Sequence, residues 1–486
     1  MAIGATTNRP RKPSSMNHSA SKLLPLLLLF IGVLLLFFRF PSSSPHLPCT
    51  PLPSSSRLWF GDLRDVEFSW NSLPLSSDRR PPIILKIAVF SRKWPSSAAP
   101  GGMERHALTL HSALSRRGHQ VHVFTSSTDL SLPPSSSASS PRLHLLVGAW
   151  RCDEAFALFE AEHALSPFDV VHTESVALYH RFARRVPNLA VTWHGISLEA
   201  LHSGIYQDLL RSNGEPLSPA TNRSLASAIY KVLDEIRFFN SYAHHVAISD
   251  ATGEMLRDVY QIPRDRVHVI LNGIDEEDFR PDPDLGSAFL NELGLPSDAE
   301  LIMGIAGRLV KDKGHPILYK SFAAVSRRHP KVYLVVAGSG PWEQRYREMG
   351  KNVIVTGALP PAKLRAFYNS IDVFVNPTLR PQGLDLTLME AMQCGTAVMA
   401  TRFPSIKGSV VVREELGVMF APNVAALTEA MEKVVAEGRG KMAERGKACR
   451  EYASAMFTAK KMAMAYERLF LCIKNETYCR FPLGFD

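Results

Sequence analysis

The sequence predicts an α/β fold, with two doubly wound, Rossmann-like domains facing each other across a cleft. Three observations carry this reading. Short β-branched apolar runs alternate with segments of helical apolar spacing from residue 83 onward. Many of those runs end in Gly, Pro or Asn turns that lead straight into a helix, the strand–loop–helix–strand order of parallel sheets. Pro281-Asp-Pro-Asp284 breaks the alternation between two such series.

In the first series, 83–90 is a strand, and the loop containing Pro100-Gly101-Gly102 opens a helix over 103–117 with Ala107, Leu110 and Leu114 on one face. Gly118-His119 stops it, and 121–124 is the next strand. The Ser/Pro-rich stretch 126–141 is an exposed loop. Further strands are expected at 168–172, 189–193, 243–249 and 267–271, with a helix over 250–260. Asn272-Gly273-Ile274-Asp275 then makes a turn.

In the second series, 301–305 is a strand that enters a loop carrying Arg308 and Lys313, followed by a helix to residue 328. Strands follow at 332–337, 352–356 and 371–375, the last ending in Asn376-Pro377. A helix over 386–392 stops at Gly395, 398–401 is the next strand, and 453–472 makes a long terminal helix.

The front end has a different character. Net charge is +9, but Arg9, Arg11, Lys12, Lys22, Arg39 and Arg57 are not offset by any acid before Asp62, which leaves only +3 for the rest. That balance gives no case for nucleic acid. Residues 23–38 are an apolar run that Arg39 and Phe40 extend, and the basic residues before it keep the amino end cytosolic. The expected organisation is a cytosolic tail (1–22), a membrane signal anchor (23–40), a stem (41–82), two domains (83–280 and 281–455), and a C-terminal helix with its tail (456–486). This predicts a single-pass type II protein of the Golgi or ER with a lumenal catalytic part. A cleaved signal peptide and a plastid transit peptide stand beside it as alternatives. Sequons at Asn222 and Asn475, and a Cys472–Cys479 pair, agree with a lumenal setting; Cys394 is expected to be a buried thiol.

Ligands of parallel-sheet folds bind outside the carboxyl ends of the strands. Gly101 and Gly102 let backbone N–H groups approach a ligand at a helix N-terminus. His194 projects from the end of the 189–193 strand. The Arg308 fork and the Lys313 point charge suit a diphosphate. Gln382, Asp385 and Glu390 lie around the helix start at 386. A tight Gly-Gly turn, a structural histidine and a solvated basic pair are the plain alternatives for these features.

In order along the chain, PGGMERHALTLHSALSRRGH, TWHGI, AISDATGEML, VILNGID, GIAGRLVKDKG, VVAGSGP and QGLDLTLMEAMQCGTAVMAT resemble the retaining glycosyltransferases of family four, the sucrose-synthase and mannosyltransferase group. The resemblance implies a GT-B fold and a UDP- or GDP-linked sugar donor bound mainly by the second domain. The acceptor, a glycan, lipid or protein, is not specified. Arg308 and Lys313 match the pair on the diphosphate, Glu390 the second acid of an E-x7-E motif on the ribose, Gly101 and Gly102 the glycine loop, and His194 the histidine beside the transferred sugar. Gln382, Gly383, Leu384 and Asp385 fall in the donor-binding loop, and Asn272 to Asp275 match the hinge-side turn. The family needs no metal and no cofactor beyond the nucleotide sugar. The chain departs from the pattern at Gln382, where the first acid is expected, and at Asp385, where glycine is usual. Three readings follow: altered donor choice, rescue by Asp385, or a weakened protein that binds nucleotide sugars or acts as a scaffold. An epimerase on the same fold would need an acid/base pair that the sequence does not identify.

Overall fold

Seven parallel strands form the first sheet: β1 (Lys86–Lys93), β2 (Gln120–Ser127), β3 (Arg142–Val147), β4 (Val170–Glu174), β5 (Leu189–Trp193), β6 (His244–Ala247) and β7 (Val267–Val269), in the order β3-β2-β1-β4-β5-β6-β7. Six more form the second: β8 (Leu301–Ala306), β9 (Val332–Ala337), β10 (Val353–Gly357), β11 (Val373–Asn376), β12 (Ala397–Thr401) and β13 (Val418–Phe420), in the order β10-β9-β8-β11-β12-β13. This computed structural model describes residues 81–95, 101–127, 139–211, 214, 216 and 218–479. The expected tail and span, and all but the last two residues of the expected stem, lie outside them.

Both sheets turn back on themselves beside their first strand. The chain lays β1, β2 and β3 outward in one direction and then returns to place β4 on the other side of β1; β8 and β11 repeat the move. Such reversals open a crevice at the carboxyl ends of the strands. The central strands are covered on both faces, as the wholly buried β4 (VVHTE) and β5 (LAVTW) require.

Seven helices carry the argument below: α1 (Gly102–Arg116), α2 (Ser197–Leu209), α3 (Pro219–Phe239), α4 (His315–Arg328), α5 (Leu386–Gln393), α6 (Val424–Met456) and α7 (Ala459–Lys474). Leu110, Ala113 and Leu114 of α1 pack with Ile87, Val89, Val121 and Val123 of the first sheet. Tyr466, Leu469 and Phe470 of α7 enter the same core, so the end of the chain returns to the first sheet. Glu467 anchors it there, accepting from Arg117 Nε at 2.6 Å and Nη2 at 2.9 Å and from His119 Nε2 at 2.9 Å. Cys472 and Cys479 form a disulfide just beyond, and Cys394 is a buried thiol.

The single terminal helix expected over 453–472 is corrected to two. α6 runs through Met456, and Thr458 caps α7 by accepting from the Lys461 N–H at 3.1 Å. The break is tertiary in origin. Ile274 N–H donates to the Phe457 carbonyl and Ala459 N–H donates to the Ile274 carbonyl, which forces the chain out of helical geometry between them. β3, β13, α2 and α3 are elements that the motif reading did not anticipate. No described helix is long and apolar enough to cross a membrane.

Candidate active site

A cavity of about 500 Å³ lies between the carboxyl ends of the two sheets, a size ordinary for a small-molecule site. The loop after β1 and the first turn of α1 bring Gly101, Gly102 and Arg105 to it. The end of β5 brings His194, and the turn after β7 brings Asn272. From the second sheet, the loop between β8 and α4 supplies Arg308 and Lys313, and the loop between β11 and α5 supplies Asn376, Arg380, Leu384 and Asp385.

The sequence-predicted residues divide into two groups. Gly101, Gly102, His194, Arg308, Lys313, Leu384 and Asp385 line the cavity together. Gln382, Gly383 and Glu390 stand behind its wall. The Gln382 side chain bonds His202 (Nε2 to Nδ1, 2.8 Å), and its backbone carbonyl accepts from Ser249 Oγ at 2.8 Å and Thr252 Oγ1 at 3.1 Å. Gly383 lies against Glu199, whose carboxylate fills the space a Cβ would need. Glu390 is 2% exposed, ion-paired with Arg105 and hydrogen-bonded by Tyr368 OH at 2.8 Å. All these contacts except that of Tyr368 join the first sheet's half of the chain to the second's.

Charge in the cleft is arranged in pairs. Lys313 pairs with Asp385, whose other oxygen accepts from Asn376 Nδ2 at 3.2 Å. Burial works to raise the Asp385 pKa, but Lys313 beside it holds the carboxyl below its usual value. Arg380 pairs with the buried Glu199 at 3.0 Å, and burial leaves the Glu199 pKa raised overall. Arg308 is exposed and makes no ion pair with any described residue. Asn272 Oδ1 and Gln382 Oε1 are buried without a partner among the described residues, an unmet capacity of the kind a bound ligand or water satisfies.

Behind His194 lies a polar core. His194 Nε2 sits 2.6 Å from Glu174 Oε2, and His111 Nε2 sits 3.0 Å from Oε1. Burial alone would raise the Glu174 pKa; His172, His111 and His194 around it outweigh that and hold it well below the usual range. Burial takes His106 and His172 down to about 3, so both are neutral at physiological pH. His106, Glu174 and His194, and likewise His111, His172 and Glu174, have ligand atoms within 4.8 Å of one another, a spacing compatible with a metal ion. Here the two carboxylate oxygens already take the ring N–H groups of His111 and His194.

Arg105, Arg380, Glu174, Glu199 and Tyr368 were not anticipated. Arg105 and Arg380 do carry a local signal: Arg105 lies within the motif PGGMERHALTLHSALSRRGH, and Arg380 lies two residues before QGLDLTLMEAMQCGTAVMAT. Glu174 closes a strand, as His194 does.

Two family models match the chain: Glycosyltransferase Family 4 over residues 100–278 and Glycosyl transferases group 1 over residues 300–437. The D-inositol 3-phosphate glycosyltransferase of Xylanimonas cellulosilytica is 26% identical over 351 residues, covering 67% of this chain and 81% of the relative. Among solved structures, sucrose-phosphate synthase of Thermosynechococcus elongatus superposes with a TM-score of 0.62 at 23% identity, covering 81% of this chain and 98% of that one. Anabaena HepE in complex with UDP-glucose gives 0.57 at 18%, covering 79% and 99%. These findings overturn the expected residence of a lumenal catalytic part in the Golgi or ER. The three similar proteins named above are bacterial, and bacteria have neither compartment.

Proposed function

Since the chain belongs to glycosyltransferase family 4 and takes its sugar from a UDP- or GDP-linked donor, we propose that it transfers that sugar with retention of configuration and holds the diphosphate on Arg308 and Lys313. The observation that carries this reading is the convergence of both cations, the glycine loop at the α1 N-terminus and the α5 N-terminus on one cavity between the sheets. Helix N-termini and basic side chains together favour phosphate.

In the proposed reaction, the bond between the sugar C1 and the diphosphate oxygen breaks and its electron pair leaves with the diphosphate. Lys313, Arg308 and backbone N–H groups stabilise the charge that develops there. The acceptor hydroxyl attacks C1 from the face the diphosphate leaves, and its proton passes to the departing phosphate. His194 lies beside the sugar, fixed from behind by Glu174. No metal is needed for leaving-group departure in this scheme. Glu390 reaches the donor ribose only if Arg105 lets it go, so its role rests on a shift of that ion pair.

The weakened-protein reading draws on a specific observation: Gln382 is uncharged and turned toward His202. Sugar-nucleotide hydrolysis by wild type and Lys313→Ala separates the two. Loss of one preorganised charge partner lowers the rate roughly 10²- to 10³-fold if the site is catalytic. Equal, background-level rates for both proteins would sink the catalytic reading.

A further inference from the structure

Arg105, Arg308, Lys313 and Arg380 line the cavity, and three of the four are already neutralised: Arg105 by Glu390, Lys313 by Asp385 and Arg380 by Glu199. Only Arg308 makes no ion pair with a described residue, and Glu104 adds a further acid to the lining. A group carrying two negative charges therefore meets a cleft whose cations are mostly spent.

The three acids are not equivalent. Glu199 and Glu390 have side chains 2% exposed, and Glu390 also accepts from Tyr368; separating either from its arginine strands a buried carboxylate, which is strongly unfavourable. Asp385 and Lys313 are each 20% exposed in the cavity wall, where solvent or a ligand reaches both. Asp385 also stands at the N-cap position of α5, yet its side chain makes no capping hydrogen bond; it is turned onto Lys313 instead. A carboxylate thus sits where the cations and the helix N-terminus converge, the place that best suits a phosphate.

Resting on the donor reading above, we propose that Asp385 is an internal counter-ion that determines affinity and charge specificity in this cleft. It holds Lys313 in the empty site, a nucleoside diphosphate exchanges for it there, and the displaced carboxylate repels the incoming anion. The repulsion grows with ligand charge. The protein therefore discriminates poorly between nucleoside mono- and diphosphates, and neutralising residue 385 widens the gap.

The test is calorimetric titration of the full chain, wild type, Asp385→Asn and Asp385→Glu, with UDP, UMP and inorganic pyrophosphate. Removing a like charge from an anion site is expected to tighten UDP and pyrophosphate about tenfold or more and UMP by less, with Asp385→Glu staying near wild type. A gain in affinity is not produced by misfolding. UDP binding that is unchanged or weaker in Asp385→Asn, alongside measurable wild-type binding, overturns the counter-ion and leaves the donor reading standing. Absence of nucleotide binding in wild type and both variants, with folding intact by circular dichroism, overturns both.

Discussion

Glu174 shows how one residue acquires its role from far along the chain. Its partner His111 is 63 positions away and His194 is 20, on a helix and a neighbouring strand end. With both carboxylate oxygens accepting, the His194 ring is held with Nε2–H toward the core, and its Nδ1 is left for the cavity side. Glu174→Gln removes one of the two acceptors, because the amide nitrogen can only donate. The expected result is a fall in turnover of roughly 10²-fold with little change in donor KM, as for a misplaced group whose contact with the sugar matters most in the transition state. Steady-state kinetics checks it, and unchanged turnover would show that the orientation of His194 is not used. This contrast explains what could be read from the chain. Arg308 and Lys313 lie in one short strand-to-helix loop and were legible as a phosphate pair. Glu199, 181 residues from its partner Arg380, was not, because its chemistry exists only once the two halves meet.

At the scale of elements, the loop between β8 and α4 presents the cations, and it is fixed at Gly314. That residue has φ +80°, and a Cβ there would run into the carbonyl of Pro377 on the β11–α5 loop. The two ligand-facing loops therefore touch at a point where only glycine fits. Gly314→Ala combines left-handed strain of about 1–2 kcal/mol with that clash. A melting point lowered by several degrees and weakened donor binding are expected together; thermal melts and titration read both, and a variant that matched wild type would show the loops to be independent. The strands were legible where both faces are covered: β5, β8 and β9 are nearly continuous apolar runs. β3, with Arg142 and His144 in six residues, is an edge strand without that pattern, and β13 has three residues. α2 and α3 escaped the motif reading because they follow no local signature, and Leu209, Ile229, Tyr230 and Leu233 remain exposed. The cap at Thr458 was visible in principle, but the strand-like bridge between Ile274 and Thr458 that makes the chain break there was not.

For the whole molecule, buried neutral histidines set the response to acid. Burial takes His106, His172, His245 and His268 each to about 3, against an ordinary value near 6.5. Between those limits the unfolded chain binds protons that the folded chain refuses, so falling pH favours unfolding. The stability these groups contribute is intact above about pH 6.5 and is lost progressively toward pH 3, at up to about 1.4 kcal/mol per pH unit for each. Glu174 and Glu467, held low by their partners, act in the same direction once the pH drops below the ordinary glutamate value. Asp250, raised to about 6 by burial, acts the other way below that pH, as do Glu199, Glu235, Asp278 and Asp372, whose carboxyls burial also raises. His122 and His315, lowered to about 4, add to the four histidines. The histidines therefore dominate the first unit of acidification. Stability measured by urea unfolding is expected to fall by a few kcal/mol from pH 7.5 to 5.5, before ordinary carboxylates titrate. His268→Gln should lower stability at pH 7.5 and flatten the slope by about one histidine's share, since residue 268 no longer gains a proton on unfolding. A profile level across that range in wild type would mean that these four rings accept protons in the folded state, with His106 and His172 then charged beside the Glu174 carboxylate.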